Sequence, residues 1–395
     1  MRGADVLSNS AMLLAGHNIT EGALRSVKLG RTPLVILDAG VTTVPAEFAP
    51  DATILRVGTT FDPTLLDLAI VVAGASSVVG IGGGRVMDLA KLARLILFRP
   101  ALLPVVRTRA ARGGYVTLPA EPTWQGEPIP LALVPTTIGT GSESSSVACM
   151  LTADGRRLVG GAVLRADYAV LDSAHTRALP ATLVREGLME ILLRLAGSAI
   201  GSEPSSISDH ATKSLIGAVV SLGEITTRRM LTPVELLFAA QLCTETHRGW
   251  ALVGRATYAA KHWFLANELT FVTGERKIPT TLLLLPSLWS RISLGDERWG
   301  RAARLDEVWS WIKAAAPGLP ADPALGIAEL GLRWQVASAV PPTASQCREA
   351  AERVIRWWGT PLPMLPRLDR AALEALLLSC TAAQRSSPAL KHQGR

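Results

Sequence analysis

The chain has 395 residues, 48% of them hydrophobic and 18% charged, enough apolar sequence to build two packed domains. Its net charge is +7, but lysines and arginines are spread along the chain without a basic run that carries interleaved aromatics, so the balance suits small anionic ligands and argues against nucleic acid. No run of about 18 residues lacks polar breaks, no signal-peptide core opens the sequence, and the four cysteines (Cys149, Cys243, Cys347, Cys380) form no C-x-x-C pair; the expectation is a cytoplasmic protein without membrane span, disulfide scaffold or zinc knuckle.

Residues 1–30 are weakly patterned and read as an opening hairpin or arm. PLVIL at 33–37 reads as a buried strand that ends at Asp38, a carboxylate placed either to take the ribose hydroxyls of NAD or to open the turn at Ala39-Gly40. TILRV at 53–57 predicts a second strand and residues 61–72 a helix. Val78, Val79 and Ile81 then run into Gly82, Gly83 and Gly84, and Val86, Leu89, Ala90, Ala93 and Leu97 follow at helical spacing. This is strand, glycine turn, helix. Without side chains the turn lets backbone approach a bulky anion, and the unpaired N–H groups of the helix start suit a phosphate. Asp88 and Lys91, in the first turns, either anchor a ligand or cap and solvate the helix. Met87 stands where the dinucleotide fingerprint G-x-G-x-x-G needs its last glycine, so the stretch by itself signals only a phosphate-approaching turn.

A further apolar strand, 131–134, leads into Pro135, Thr136, Thr137, Gly139, Thr140, Gly141, Ser142 and Glu143. That loop is either an ordinary polar connection or a set of donors for phosphate and ribose oxygens. The alternation of strands and helices predicts an α/β nucleotide-binding domain over 1–178, doubly wound with a mostly parallel sheet, and a ligand at the carboxyl ends of its strands. From Pro180 the pattern turns helical: 181–200, 208–230, 233–265, 281–293, 303–315, 323–338, 344–358 and 369–383, with prolines between. An all-α catalytic domain is therefore expected over 179–383, an active site in the cleft between the domains, and a disordered tail over 384–395.

GGGRVMDLAK resembles the GGGS-x-x-D-x-A-K of the superfamily that holds iron-containing alcohol dehydrogenases, glycerol dehydrogenases and dehydroquinate synthases, with Arg85 in the usual serine position. PTTIGTGSE is similar to its PTT-x-GTGSE loop, and DYAVLDSAHTRALPATLVREGLME at 167–190 looks like its passage into the helical domain. The resemblance spans residues 30–290 or so, with the matches in the expected order. It implies a dehydroquinate synthase-like fold and an NAD or NADP cofactor held by Asp38, Gly82, Gly83, Gly84, Asp88, Lys91, Pro135, Thr136, Thr137, Thr140 and Ser142.

The resemblance also implies a divalent metal that polarises the substrate oxygen, with a carboxylate and several histidines as ligands. The carboxylate position falls on Glu190, which is closer to the dehydroquinate synthase spacing, and Arg194 stands four residues later. His262 takes one histidine position. The His-Gly position falls on Thr273-Gly274 or, counting back from Pro286, on Lys277, and neither Thr nor Lys is a ligand for zinc or iron. His247 lies earlier in the helical region and is a histidine that could be recruited. Glu190 and His262 thus form an incomplete site in which metal should bind weakly if at all. A base for the alcohol proton then comes from His262, Lys261, Tyr258 or Lys277, with Glu190 nearby in the motif. Tyr258 and Lys261 are three apart on the expected helix, so that the lysine would lower the tyrosine pKa. Arg194, Arg255 and Arg276 are candidates to bind a substrate carboxylate.

Three readings follow: an NAD(P)-dependent alcohol oxidoreductase with a degenerate metal site, a sugar-phosphate cyclase that uses NAD transiently, or a scaffold that keeps the fold as a binding module. Within the first, the eroded ligand set and the REGLME stretch at 185–190 look somewhat like the dehydrogenases of daptide-type ribosomal peptide biosynthesis. That likeness implies natural-product biosynthesis by oxidative decarboxylation of a C-terminal threonine. The expected partners are a small-molecule or peptide substrate and, for a peptide, a separate recognition protein; a homodimer is left open, and nucleic acid and membrane are not expected.

Overall fold

A computed structural model of the chain describes residues 11–41, 51–58, 74–119 and 129–385. The chain divides into two compact units: Met1–Ile191 with Arg229–Val253, and Leu192–Arg228 with Gly254–Arg395. The helix expected over 61–72 and the end of the expected tail, from residue 386, lie outside the described residues.

In the first unit the strands are β1 (Met12–Gly16), β2 (Pro33–Asp38), β3 (Thr53–Val57), β4 (Ser77–Gly82), β5 (Tyr115–Thr117), β6 (Leu131–Pro135), β7 (Val147–Thr152), β8 (Gly155–Gly160) and β9 (Tyr168–Asp172). Six of them form a parallel sheet in the order β1-β9-β6-β4-β2-β3. The central strands are apolar without alternation because both faces are covered. Leu34, Ile36, Val78, Leu131 and Leu133 face one core, which includes Val86, Leu89, Ala90 and Ala93 of the helix Gly84–Phe98. Val35, Leu37, Val79, Ile81, Ala132 and Val134 face the other, with Ala23 and Leu24 of the helix Thr20–Ser26. The doubly wound, parallel expectation holds. β3 lies outside β2, whereas β4 and β6 lie on its other side, so the strand order reverses between β2 and β4. A ligand crevice in such a sheet opens at that reversal. Register places Leu37 beside Ile81 and Gly82 beside Pro135, so Asp38, the glycine turn and the start of the 135–143 loop share one end of the sheet. A small second sheet, β5-β8-β7, was not legible in the sequence; its β7–β8 hairpin closes from Thr152 to Gly155.

The expected helix over 233–265 is broken. It ends as Pro233–Arg248; Gly249 and Gly254 (φ +73°) then turn the chain through irregular backbone, and a new helix starts at His262. The first piece, with its N-terminus fixed by a capping box between Thr232 and Glu235, packs on β9 and on the short helix Ser173–Thr176 within the first unit.

The second unit is helical. It includes Ser206–Thr226, His262–Thr273, Lys277–Ser293, Ala302–Ala315, Pro323–Arg333, Ala344–Trp358 and Arg370–Arg385, together with the last turns of Ala181–Ile200. Lys277–Ser293 starts earlier than the expected 281 because Pro279 falls in its first turn, where a missing N–H costs nothing. Trp334, Trp357 and Trp358 are fully buried, and Gly223 makes room for the Trp334 ring, which lies 2.0 Å from the position of a Cβ there. Among the described residues no helix is long and apolar enough to cross a membrane.

One buried carboxylate ties this core together. Glu268, with no exposed surface, accepts the Trp358 Nε1–H at 2.8 Å and the Arg353 Nε–H at 2.9 Å. Replacing Glu268 by alanine leaves a buried indole N–H without this acceptor and a half-buried guanidinium without this carboxylate, so stability should fall by about 1–3 kcal/mol. The check is a urea unfolding curve, in which the midpoint drops while the slope stays that of the parent.

Candidate active site

The glycine turn sits at the carboxyl end of β4. Gly83 is the N-cap of the helix Gly84–Phe98 and has no side chain to cap it, so the first N–H groups of that helix are left for another acceptor. A Cβ on Gly82 would fall 2.7 Å from Val86 Cβ and 3.0 Å from Asp38 Cβ, and one on Gly84 would fall 2.9 Å from Thr140 Cγ2. Gly82 and Gly84 are therefore fixed by packing. Gly83 is different: its nearest neighbours, Thr137 Oγ1 and Cγ2, stand at ordinary contact, 3.4 and 3.5 Å, so bulk there points only at the mouth of the turn. Asp38 accepts the Gly40 N–H at 2.9 Å, which satisfies the turn reading, and its Cβ borders Gly82. Arg85 reaches away and donates to the Gly58 carbonyl at 3.0 Å.

The 135–143 loop wraps the turn. The Thr136 N–H donates to the Gly82 carbonyl at 3.0 Å, and Thr137 and Thr140 flank Gly83 and Gly84. Two helices hold its far side. Gly139 (φ +116°) lies so close to Gly187 of Ala181–Ile200 that a Cβ would fall 2.7 Å from the Gly187 Cα and 3.2 Å from Glu190 Oε2. His247 of Pro233–Arg248 has Nε2 3.0 Å from the Thr140 carbonyl, and its ring fills the space beside Gly141. One turn earlier, Thr244 donates to the buried Glu143 carboxylate at 2.9 Å. Sequence reasoning held His247 only as a spare metal ligand. The signal it missed is that Thr244 and His247, three apart, share a helix face.

Asp88, Lys91 and Ser142, expected at the cofactor, come together beneath the loop. Lys91 Nζ donates to Ser142 Oγ and to the Val147 carbonyl, both at 2.8 Å, and Asp88 accepts the Ser142 hydroxyl at 2.5 Å and the Cys149 N–H at 2.9 Å. Burial raises the Asp88 pKa, against the pull of Lys91, and lowers that of Lys91, against the pull of Asp88 and Glu143. The described bonds of all three go to helix, loop and β7.

In the second unit the expected residues separate into two groups. Arg255 is held by Asp209 at 2.7 Å and Thr212 at 2.8 Å, a structural pair shared with Arg304. The Tyr258–Lys261 pairing on a helix is not formed, because both precede the helix that starts at His262; Tyr258 has φ +63°, and Lys261 Nζ donates to the Arg298 carbonyl at 2.6 Å. Burial raises the Tyr258 pKa, the reverse of the lowering that a neighbouring lysine was expected to give. Arg276 is exposed, at the N-cap of Lys277–Ser293.

The other group gathers around His262. Its ring packs on Gly197, where a Cβ would fall 2.4 Å from His262 Cε1, and Arg194 lies one turn before Gly197 on the same helix. The His262 and Trp263 rings are 4.4 Å apart, and Lys277 Nζ stands 4.2 Å over the Trp263 ring. Thr273 instead donates to the Leu269 carbonyl at 2.8 Å, and Gly274 (φ +74°) closes that helix, so Lys277 is the residue brought to His262. Burial, then the charges of Lys277 and Arg194, push the His262 pKa down to about 3. His262 is 4% exposed and its Nε2 has no hydrogen-bond partner among the described residues.

A divalent ion does not fit this group. Ammonium and guanidinium offer no lone pair, and a dication at His262 Nε2 would meet two like charges. Among the described residues no cluster of three or more His, Cys, Asp or Glu side chains is placed to hold a metal.

Residues 25–173 match the family described as iron-containing alcohol dehydrogenase. The probable alcohol dehydrogenase EutG of Salmonella typhimurium is 32% identical over 173 residues, 41% of this chain and 39% of that protein. The mitochondrial hydroxyacid-oxoacid transhydrogenase of Xenopus tropicalis is 31% identical over 118 residues, 29% of this chain and 24% of that protein. The chain thus spans about two-fifths or less of the length of these curated relatives. Over the whole fold, the NADH-dependent butanol dehydrogenase A of Thermotoga maritima superposes with a TM-score of 0.73 at 15% identity, covering 94% of this chain and 97% of that one. The glycine turn and the loop that wraps it fall inside the segment that is similar to the iron-containing alcohol dehydrogenase family, and over 94% of its length the chain shares its fold with the Thermotoga protein.

Proposed function

We propose that the chain is an NAD(P)-dependent alcohol oxidoreductase that acts on a secondary alcohol β to a carboxylate, with the C-terminal threonine of a peptide as substrate. The observation that carries the reading is the turn at Gly83: a helix N-terminus without a side-chain cap, at the reversal of a parallel sheet, with Asp38 on one flank and Thr137 and Thr140 on the other. The nicotinamide cofactor supplies a hydride acceptor. Gly83 leaves room for the pyrophosphate, the helix N–H groups bind its oxygens, and Asp38 is placed for a ribose hydroxyl. His247 and Gly187 hold the loop in the shape that closes over the turn. The relative named for hydroxyacid and oxoacid substrates supports a carboxylate beside the reacting alcohol. Oxidation of that alcohol gives a β-keto acid, in which the ketone takes up the electron pair released as carbon dioxide leaves, so no further cofactor is required. A peptide substrate implies a separate recognition protein.

Gly83→Val tests the cofactor placement. Nucleotide binding by calorimetry should fall below detection, while the unfolding transition stays within about 1 kcal/mol of the parent. His247→Ala should weaken nucleotide binding about tenfold, the worth of one lost anchoring bond, and His247→Gln should recover part of it. For the substrate, the protein is incubated with NAD and a peptide that ends in threonine, together with any recognition partner. Mass spectrometry should show loss of carbon dioxide and two hydrogens; an unchanged peptide alongside turnover of a simple polyol would overturn the peptide reading.

A further inference from the structure

Lys91 lies inside the helix Gly84–Phe98, whose uncapped start faces the glycine turn, and it has no exposed surface. An ammonium buried to that degree cannot touch a nucleotide, so its effect on one passes through its partners. Its Nζ donates to Ser142 Oγ and to the Val147 carbonyl at 2.8 Å and stands 3.6 Å from Asp88 Oδ1, one turn earlier on the same helix. The Ser142 hydroxyl has a single proton, which goes to Asp88 at 2.5 Å. With that proton committed, the Ser142 side chain has no donor for a phosphate oxygen. Asp88 also accepts the Cys149 N–H of β7 at 2.9 Å.

These bonds join the two parts between which a pyrophosphate would lie. Asp88 and Lys91 belong to the helix, and Ser142 belongs to the loop that wraps its start. In that loop Thr137 flanks Gly83 and Thr140 packs on Gly84, and Thr140 stands between Gly139 (φ +116°) and Gly141 (φ +63°). Glycine leaves the backbone many conformations, so the position of the threonines over the helix start depends on anchors beyond the two glycines. Ser142, directly after Gly141, is the anchor on the helix side. We propose that Lys91 is a positioning residue for the cofactor: with Asp88 it staples Ser142 to the helix, and so sets the gap between the helix start and Thr137 and Thr140 in which the pyrophosphate binds. The affinity for nucleotide therefore depends on a lysine that the nucleotide never touches. In naming the cofactor this rests on the oxidoreductase reading of the glycine turn.

The test joins calorimetry with NAD and with NADP to amide hydrogen exchange of the ligand-free protein across residues 136–145. Ser142→Ala removes one hydroxyl. It should bind nucleotide about tenfold more weakly and exchange faster in that segment, with its unfolding midpoint close to that of the parent. Ser142→Thr keeps the hydroxyl and should recover most of the affinity. Lys91→Met should lose at least as much as Ser142→Ala, and Ser142→Ala added to it should cost less than about twofold more, because the bond is already gone. A full tenfold further loss in that background would mean that Ser142 meets the nucleotide itself and would overturn the proposal. Wild-type affinity in either single variant, or unchanged exchange in Ser142→Ala, would overturn it too. Should Lys91→Met fail to fold, Ser142→Ala, Ser142→Thr and the exchange rates decide alone. Wild-type protein that binds neither nucleotide would remove the oxidoreductase reading, and this role with it; nucleotide binding that ignores both variants would remove only the staple.

Discussion

The contact on which the first unit depends is glycine against glycine. Gly139, in the loop after β6, meets Gly187, on the helix Ala181–Ile200, at a separation where neither can carry a side chain; a Cβ on Gly187 would fall 2.5 Å from the Ile138 carbonyl oxygen. Backbone pressed on backbone sets the path of the loop more tightly than any side-chain bond could, because there are no rotamers to give. The rest follows in order. Thr140 comes to lie over Gly84, its carbonyl faces His247, and Ser142 drops onto Lys91 and Asp88. The same approach brings Glu190 alongside the loop, since it is one turn beyond Gly187.

Buried charge is distributed by the same logic in both units. Lys91 answers Asp88, Arg304 and Arg255 answer Asp209, and Arg353 answers Glu268. Each of these pairs is a frame: removal of one member strands the other in a poorly solvated interior. Lys277 lies at a helix start over the Trp263 ring, near a histidine that burial and the charges of Lys277 and Arg194 hold neutral. The guanidinium of Arg255, expected at a substrate carboxylate, is instead held by Asp209 and Thr212.

The sequence was informative wherever the governing rule is local. Apolar runs with β-branched residues gave β2, β4 and β6, because a strand buried on both faces needs no alternation. Three successive glycines before a helical repeat gave the turn, because side chains at Gly82 and Gly84 would meet Val86, Asp38 and Thr140. The helix over 233–265 misled for an equally local reason. Its apolar spacing continues past Gly249, but two glycines and a left-handed Tyr258 interrupt the hydrogen bonding, and spacing alone carries no record of that.

By itself, then, the sequence determined the parallel sheet, the glycine turn and the helical character of the second half, all set by periodicity and by the absence of side chains at particular positions. The tertiary structure decided which residues meet. It brought Lys277 to His262 and left Thr273 to cap its own helix, set Thr244 and His247 against the 140–143 loop, and turned Lys261 to a backbone carbonyl. Such pairings join residues far apart in the chain. They depend on how helices pack, where a shift of a single residue turns a side chain by about a quarter turn or more, and no local pattern encodes that.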